Sequence, residues 1–321
     1  MIQATCAKRR GRLLAGLPAA LAALALLLSG CGLGAGKAPG GVHLLVTRDF
    51  GASTVRSWSA PQARGQETVM SLLTRNAKVA TRYAGGFVQS IDGLAGGREG
   101  GQPVDWFYYI NGVEASKGAA GTNVHPGDHI WWDRHDWSQT DDVPAVVGSF
   151  PEPFLNGIEG KRLPVRVECS SDAQQACTTV TKALRAQDVP AAVSALGGGA
   201  GAQHTLRVAV GTWRELSSEP VLRELQVGPR ASGVYARFAS TGRTLALLDA
   251  NGRTAQTLAA SAGLIAATRI GEEAPIWVVT GTDGAGVDGA ARAFGVTALH
   301  NRFAVAVGQA GTTFALPRPS G

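Results

Sequence analysis

The sequence predicts an α+β fold: a small β-grasp-like N-terminal domain followed by an α/β domain with a mainly parallel sheet. Three observations support this prediction. Residues 42–137 contain a strand-like run, a helix-like run and three more strand-like runs rich in aromatic and β-branched residues. Residues 138–162 contain three prolines, which block regular structure. From Leu163 onward, strand-like and helix-like segments alternate, as they do where helices join parallel strands.

The first 30 residues have the pattern of a bacterial secretion signal. Four basic residues between positions 8 and 12 precede an apolar run of 16 residues, 13–28, which is short for a membrane span. Leu-Ser-Gly-Cys at 28–31 then resembles a lipobox, so the chain resembles a lipoprotein precursor. The resemblance implies that Cys31 is acylated, with palmitate for example, and becomes the first residue of the mature protein. The alternative is an ordinary signal peptide in which this cysteine occurs by chance.

Removal of residues 1–30 changes the charge of the chain. The full chain has 30 Lys and Arg against 24 Asp and Glu, a net charge of +6. The removed segment holds four of the basic residues and none of the acidic ones, which leaves 26 against 24 in 291 residues. Such a nearly neutral chain lacks support for nucleic-acid binding and is long enough for two domains with their own cores. Residues 31–41, rich in glycine and alanine, are interpreted as a tether to the outer face of the cell membrane.

Residues 42–137 are interpreted as the first domain. A strand over Val42–Thr47 is followed by a helix over Thr68–Val79, in which apolar residues recur at helical spacing. Three strands follow, each broken by Gly, Asn, Asp or Pro, within 85–94, 104–112 and 127–132. The pair Asn111-Gly112 indicates a tight turn, because both residues tolerate positive φ.

Residues 138–162 are interpreted as a proline-rich linker, and residues 163–316 as an α/β domain of unknown role. The linker also contains Val, Phe and Leu, which predicts a semi-rigid connector packed along a surface. In the second domain, strands are predicted at 164–168, 205–210, 234–238, 244–248, 276–279 and 303–307. Helices are predicted at 173–186, 219–225, 255–267 and 287–294.

Two cysteines remain after the signal-like segment is removed and Cys31 is assigned to the lipid. Cys169 and Cys177 are eight residues apart, in a protein whose export permits disulfides. We expect a local disulfide between them. A metal-binding pair is the weaker alternative, because no further cysteine accompanies them.

Aromatic residues are concentrated between positions 106 and 137, where four of the seven Trp and two of the four Tyr lie. In the strand that begins this stretch, alternation places Trp106 and Tyr108 on one face and Tyr109 on the other. Either neighbouring elements cover both faces, or one face fills a core and the other is offered to a flat ligand.

The order of three motifs in this region resembles a known family. G-G-F-V-x-S-I-x-G-L at 85–94 is followed, after a glycine-rich loop, by W-x-Y-Y-I-N-G at 106–112 and by G-D-x-I-x-W at 127–132. This order is similar to that of the transcobalamin-like C-terminal domain. In intrinsic factor and transcobalamin that small α+β domain caps the corrin ring, and it also occurs in bacterial lipoproteins. The resemblance covers residues 42–137.

The resemblance also implies a ligand site. In the animal relatives, the strand with the W-x-Y-Y-like residues and the loop after it lie over the upper face of cobalamin. Carried over by position, the ligand-binding residues are Trp106, Tyr108, Tyr109, Ala115, Ser116 and Lys117. This sequence lacks the large α-helical barrel of those relatives, and a loop residue that is apolar in them is Ala115 or Ser116 here.

Other patterns give weaker candidates. Gly284–Gly289 fits the G-x-G-x-x-G pattern of dinucleotide-binding turns, but no acidic residue follows Asp288 to bind a ribose. His125, His129 and His135 match no zinc spacing. The sequence also lacks the G-x-S-x-G motif of a nucleophilic serine. We therefore expect no catalytic residues, no metal site and no cofactor, with cobalamin or a corrinoid entering only as a ligand.

These observations predict a non-enzymatic, lipid-anchored protein of the cell envelope. Its expected function is to bind a small ligand, in the first place cobalamin or a related corrinoid, for uptake by a vitamin importer. The alternative is an envelope interaction protein that docks a protein or a glycan through its aromatic strand. The expected partners are the lipid membrane through Cys31, the importer and the small ligand, and not nucleic acid.

Overall fold

The computed structural model of this chain describes residues 39–197 and 204–319. The predicted signal peptide 1–30, the lipidation site Cys31 and most of the tether 31–41 lie outside the described residues. Within the described ranges, none of the helices is long and apolar enough to cross a membrane.

The N-terminal part, residues 39–137, combines a large sheet, a small sheet and a helix. In chain order its elements are β1 His43–Arg48, β2 Ser53–Trp58, α1 Val69–Asn76, β3 Val79–Arg82, a 3-10 turn Tyr83–Gly85, β4 Phe87–Ile91, β5 Leu94–Ala95, β6 Gly97–Glu99, β7 Gln102–Ile110, β8 Val113–Glu114 and β9 His129–Asp136. The large sheet has the order β2-β1-β9-β7-β6, with β8 paired to β7. Strand β1 is parallel to β9, and the other pairings are antiparallel. The small sheet has the order β3-β4-β5.

The helix and all the strands predicted for this part are present, with shifts of their boundaries, the largest being four residues at the end of β9. Thr68 caps α1, since its side-chain oxygen accepts a hydrogen bond from Ser71 N at 3.2 Å. The helix ends at Asn76 and not at Val79, because Val79 begins β3 and pairs with Ile91. The edge strand β2 was not predicted, because its largely polar sequence shows no apolar alternation.

The connector, residues 138–162, lies between the two parts. It is described throughout and contains no helix or strand, only isolated bridges. On one side Val146 N donates to Gly112 O at 2.8 Å, and on the other Val147 N donates to Phe303 O at 3.2 Å. Both valines are fully buried, so the middle of the connector lies in the interior, while its two ends are exposed.

The C-terminal part, residues 163–319, has two sheets and several helices. In chain order its elements are β10 Val165–Cys169, a 3-10 turn Ser171–Ala173, α2 Gln174–Arg185, β11 Ala192–Ala195, β12 Leu206–Thr212, a 3-10 turn Glu215–Ser218, α3 Pro220–Val227, α4 Pro229–Ser232, β13 Ala236–Phe238, β14 Leu245–Leu248, β15 Thr254–Leu258, β16 Gly263–Thr268, β17 Ile276–Gly281, α5 Gly284–Ala293, α6 Val296–Leu299, β18 Ala304–Val307, a 3-10 turn Gln309–Gly311 and β19 Thr313–Leu316. The large sheet has the order β11-β10-β12-β17-β16-β18-β19, and the small one the order β13-β14-β15.

The α+β organisation predicted from the sequence is confirmed. The large C-terminal sheet is parallel from β11 through β10 and β12 to β17. From β17 through β16 and β18 to β19 it is antiparallel, so the sheet is mixed and not mainly parallel. The antiparallel half includes β19, which was not predicted, and β16, where a helix was expected.

The predicted helix over 255–267 is wrong, because β15 and β16 occupy this range. Alanine is a strong helix former, but β16 is buried along its whole length between β17 and β18. Sheet pairing and burial therefore override the local propensity. At Gly263 a Cβ atom would lie 2.4 Å from the carbonyl oxygen of Gly286, so β16 and α5 approach at a distance that only glycine allows.

The two parts share one hydrophobic core, named here the shared core. Leu45, Phe50, Tyr109 and Trp131 of the N-terminal part belong to the same buried cluster as Phe303 of the C-terminal part. The ring of this phenylalanine lies 5.2, 5.5 and 5.3 Å from the rings of Phe50, Tyr109 and Trp131. The two parts are therefore packed as one body through aromatic side chains.

Two glycines let the backbones of the two parts meet. At Gly51, after β1, a Cβ atom would lie 2.0 Å from the carbonyl oxygen of Asn301. At Gly148, in the connector, it would lie 2.5 Å from the backbone nitrogen of Arg302. No side chain fits at either position, so the segment before β18 is held directly against the N-terminal sheet.

Candidate functional site

The aromatic residues of β7 lie inside the protein. Tyr108 is 9 % exposed and stacks on Trp132, with 4.8 Å between ring centroids, and Trp106 Nε1 donates to Leu94 O at 3.1 Å. On the opposite face, Tyr109 is fully buried in the shared core. Both faces of the strand are thus covered by neighbouring elements. The expectation that one aromatic face is open to a flat ligand is not met.

The loop residues predicted for the site do line an open cavity, named here the loop cleft. Its volume is about 260 Å³. It lies between the loop after β8, the end of the connector and the end of β16. Its lining residues are Ile110, Val113, Glu114, Ala115, Ser116, Lys117, Gly121, Thr122, Asn123, His125, Ile158, Glu159 and Arg269. The structure therefore separates the six predicted site residues into three buried rings and three cleft residues.

The tight turn predicted at Asn111-Gly112 sets the position of the cleft. Both residues have positive φ, 54° and 77°. The buried side chain of Asn111 donates to Asp128 Oδ1 at 3.0 Å and to Gly157 O at 2.9 Å, and its oxygen accepts from His129 N at 2.8 Å. One amide thus joins the hairpin, β9 and the connector, which are the elements around the cleft.

A second set of hydrogen bonds holds the loop after β8. The Tyr108 hydroxyl donates to Lys117 O and also lies 3.0 Å from the Thr122 hydroxyl. Val69 N and Met70 N, at the start of α1, donate to carbonyl oxygens of the same loop. Tyr108 therefore supports the cleft from beneath, although it does not line it.

The carboxyl group of Glu114 has an unusual environment in the cleft wall. Its Oε2 accepts a hydrogen bond from Val143 N at 2.6 Å. Burial, followed by the nearby charge of Asp142, raises the pKa of Glu114 to about 8. At neutral pH this side chain is therefore mainly uncharged, and the cleft contains one fewer negative charge than its sequence suggests.

The remaining charged groups of the cleft are basic or paired. Lys117 Nζ lies 3.6 Å from Glu159 Oε1, and both side chains are about two-thirds exposed, 68 % and 67 %. Arg269 follows β16, and its Nε atom is buried without a hydrogen-bond partner. Glu114 and Arg269 were not predicted from the sequence. Glu114 is a single acidic residue in the predicted loop after the turn, and Arg269 is an isolated basic residue about 150 positions away from that loop.

We expect the stability of the protein to fall by about 3 kcal/mol between pH 5.5 and 8.5, since one pKa unit corresponds to about 1.4 kcal/mol. Burial raises the pKa of Glu152 to about 7 and that of Glu114 to about 8. Carboxyl groups with raised pKa values favour the folded state at low pH, and this contribution is lost as the pH rises from their ordinary value of 4.5 through 7 and 8.

The titration of His129 changes the stability with pH in the opposite direction. Burial lowers the pKa of His129 to about 4, so its contribution is present above its ordinary value of 6.5 and is lost as the pH falls towards 4. Urea unfolding at a series of pH values measures the net change. Glu114→Gln should remove more than half of the loss above pH 5.5, because the amide does not titrate. An unchanged pH profile in this variant would contradict the assignment.

The three candidate histidines, His125, His129 and His135, are not grouped with one another as metal ligands. His129 Nδ1 lies 2.8 Å from the Ser149 hydroxyl, and His135 Nδ1 lies 2.8 Å from Asp133 Oδ1. The ring of His135 is stacked on Phe107, with 4.5 Å between centroids. Across the described ranges, no group of three or more His, Cys, Asp or Glu is arranged to hold a metal ion.

The glycine pattern at 284–289 serves packing. Helix α5 begins there, and Asp283 caps it by accepting a hydrogen bond from Gly286 N at 2.9 Å. A Cβ atom at Gly286 would lie 2.2 Å from the carbonyl oxygen of Ala262. The charged residues that line the adjacent cavity are Asp172, Glu215 and Asp288 against the single basic residue Arg214, an excess of negative charge that disfavours a phosphate.

The predicted disulfide is present: Cys169 and Cys177 are bonded, joining the end of β10 to α2. Both cysteines are buried against the large C-terminal sheet. The bond lies outside the loop cleft and is part of the scaffold.

Comparison with known proteins gives one finding. Residues 66–136 match the model of a family described as Domain of unknown function (DUF4430). No curated protein and no solved structure matches the chain. The matched segment begins just before α1 and ends in β9. It contains the loop of the cleft but neither the connector nor Arg269, which complete it.

Proposed function

We propose that this protein is a lipid-anchored, extracytoplasmic binding protein without catalytic activity, and that it binds a small molecule in the loop cleft. The observation that carries the proposal is the position of Ala115, Ser116 and Lys117. These residues, which the transcobalamin-like resemblance places near the ligand, line an open cavity of about 260 Å³ whose wall also includes connector residues and Arg269. Small-molecule sites are commonly found where structural units meet.

The resemblance makes a corrinoid the first ligand to test. A corrin macrocycle with its amide side chains is larger than the cleft, so the ring would lie across the mouth at Ser116 and Lys117. One side arm would then enter between the apolar walls formed by Ile110, Val113 and Ile158. The aromatic strand supports the loop in this arrangement and does not touch the ligand.

Lipid attachment at Cys31 and the tether after it support a role in capture at the membrane. A binding protein held there raises the local concentration of its ligand near an importer. In this proposal the C-terminal part completes the binding site, which in the animal relatives is the role of the helical barrel.

We expect Ser116→Trp to weaken ligand binding at least about tenfold, because a large side chain at the cleft mouth excludes the ligand. Calorimetry of the full-length chain in detergent, with cobalamin and with cobinamide, measures the affinity. Ser59→Trp is the matched control, since Ser59 is exposed after β2 and does not line the cleft.

Two results would contradict this function. One is the absence of any heat at a protein concentration of about 100 μM, which would place the affinity outside the range of a capture protein. The other is equal weakening of binding by the two tryptophan variants, which would place the ligand elsewhere.

A second candidate function has one observation in its favour. Tyr83 is 84 % exposed at the tip of the β3–β4 hairpin, and Phe87 beside it is 39 % exposed. Their ring centroids are 6.5 Å apart. Exposed aromatic pairs are typical of docking surfaces. A stoichiometric protein or glycan partner in membrane preparations that lack a corrinoid would favour docking, through this hairpin and not through β7.

A further inference from the structure

The guanidinium group of Arg269 is the chemical feature of the loop cleft that the family resemblance does not supply. Arg269 follows β16 in the C-terminal part, outside the segment that matches the DUF4430 family. It lines the same cavity as the loop residues Ala115, Ser116 and Lys117. The cleft therefore combines a loop from the N-terminal part with a permanent positive charge from the C-terminal part.

This positive charge forms no close ion pair within the described residues. Arg269 Nε is buried without a hydrogen-bond acceptor, and the described carboxylates form no ion pair with the side chain. Buried donors in proteins are usually satisfied, so the Nε–H group without an acceptor marks Arg269 as incompletely paired. The half-buried side chain also lines the cleft, where an anionic ligand can accept hydrogen bonds from the rest of its guanidinium group.

The acidic residue that could neutralise Arg269 does not do so at neutral pH. The charge of Arg269 lowers the pKa of Glu114, but burial and the charge of Asp142 outweigh this effect and keep that pKa at about 8. Protonated Glu114 offers a hydrogen-bond donor and no charge. The other acidic residue of the cleft lining, Glu159, is paired with Lys117 in an exposed, weak contact at 3.6 Å.

The rest of the lining defines what fits next to the charge. Ile110, Val113 and Ile158 are apolar, and Thr122 and Asn123 supply uncharged polar groups. With a volume of about 260 Å³ the cavity accommodates a compact organic group but not a large polyanion.

We propose that Arg269 binds an oxyanion group, carboxylate or phosphate, carried on a short apolar body that fills the loop cleft. The inference rests on the proposed function because it uses the same cleft. The inference adds that the ligand contacts both parts of the protein. Its oxyanion binds Arg269 of the C-terminal part, and its apolar body packs against Ile110 and Val113 of the N-terminal part. Planar guanidinium groups suit this role because they bind both oxygens of such an anion.

The test compares charged probes with uncharged counterparts of the same shape. Benzoate is paired with benzamide, and phenyl phosphate with phenyl methanesulfonate, which is neutral and also tetrahedral at the atom bonded to the phenolic oxygen. Binding to the full-length chain in detergent is followed by ligand-observed NMR. We expect the anions to bind at least about tenfold more tightly than the neutral probes, as a charge-assisted hydrogen bond implies. Whether benzoate or phenyl phosphate binds more tightly identifies the preferred oxyanion.

Three variants isolate the role of the charge. Arg269→Gln should abolish the preference for anions while leaving the weak binding of the neutral probes unchanged. Arg269→Lys keeps a positive charge and should retain affinity for the anions within about threefold of the original. Arg253→Gln, at an exposed arginine before β15 that does not line the cleft, should change nothing. An unfolding midpoint of Arg269→Gln equal to that of the original chain shows that the fold is intact.

Each outcome has a defined consequence. Equal binding of charged and neutral probes, or a preference for anions that survives Arg269→Gln, overturns the inference. If cobinamide binds at Ser116 and the anions do not, the inference fails and the proposed function stands. If neither corrinoids nor anions bind, both fail. Anion binding that depends on Arg269, without corrinoid binding, supports the inference and replaces the corrinoid as ligand.

Discussion

Phe303→Ala is expected to lower the free energy of unfolding by about 3–5 kcal/mol, the range for removing a buried phenylalanine ring. Phe303 is 3 % exposed and lies at the centre of the shared core. Besides its contacts with the N-terminal part, its ring lies 5.3 Å from that of His135. The alanine variant leaves a cavity between the two parts, which cannot close without moving a whole sheet.

Urea unfolding followed by tryptophan fluorescence measures this effect. The matched control is Phe87→Ala, which removes the same atoms from an exposed hairpin and should cost about 1 kcal/mol or less. Phe303→Leu should recover part of the loss because it refills most of the volume. A loss below about 1 kcal/mol for Phe303→Ala would show that the two parts are not held together by this ring.

Phe303→Ala is also expected to affect the loop cleft, because the cleft is built from both parts of the protein. The loop cleft takes its lining from the hairpin, the connector and Arg269, so its shape depends on how the two parts pack. Val147 N donates to the carbonyl oxygen of Phe303, which places the connector within the same contact. Loosening the shared core is therefore expected to weaken ligand binding as well as stability.

The sequence was informative where a pattern is local. Four strands of the N-terminal part (β1, β4, β7 and β9), the turn at Asn111-Gly112 and the disulfide between Cys169 and Cys177 were predicted from neighbouring residues. Local patterns fail where distant segments decide the outcome. In the alanine-rich range 255–267, β15 pairs with β14, and β16 lies between β17 and β18. These partners are not visible in the sequence of the range itself.

The candidate site, too, was predicted from the sequence only where its residues form a local pattern. The pattern of β7 placed aromatic rings on both faces but could not tell an open face from a covered one. Phe303, which covers Tyr109, is almost 200 positions away in the chain. In the same way, the loop residues were found through a resemblance, whereas Arg269 reaches the cleft only through the packing of the two parts.

A buried carboxylate makes the second contact on which this packing depends. Asp133, in β9, is fully buried and accepts hydrogen bonds from Phe50 N at 3.0 Å, from Gly51 N at 2.9 Å and from the Thr47 hydroxyl. Its Oδ1 also lies 2.8 Å from His135 Nδ1. These bonds fix the turn after β1, which carries Phe50 into the shared core and Gly51 against the C-terminal part.

Asp133→Ala is expected to lower the free energy of unfolding by about 3–5 kcal/mol, because several buried donors lose their acceptor together. The Thr47 hydroxyl keeps only the donor Trp131 Nε1, 2.6 Å away, while two backbone N–H groups are left without an acceptor in the interior. Asp141→Ala, at an exposed aspartate of the connector, is the control and should change the stability by about 0.5 kcal/mol or less. Chemical unfolding of both variants measures the difference.

Equal stabilities of the two variants would mean that water replaces the carboxylate and that the turn does not depend on it. A large loss with Asp133→Ala and with Phe303→Ala would instead show that hydrogen bonds and ring packing hold the two parts together across one interface.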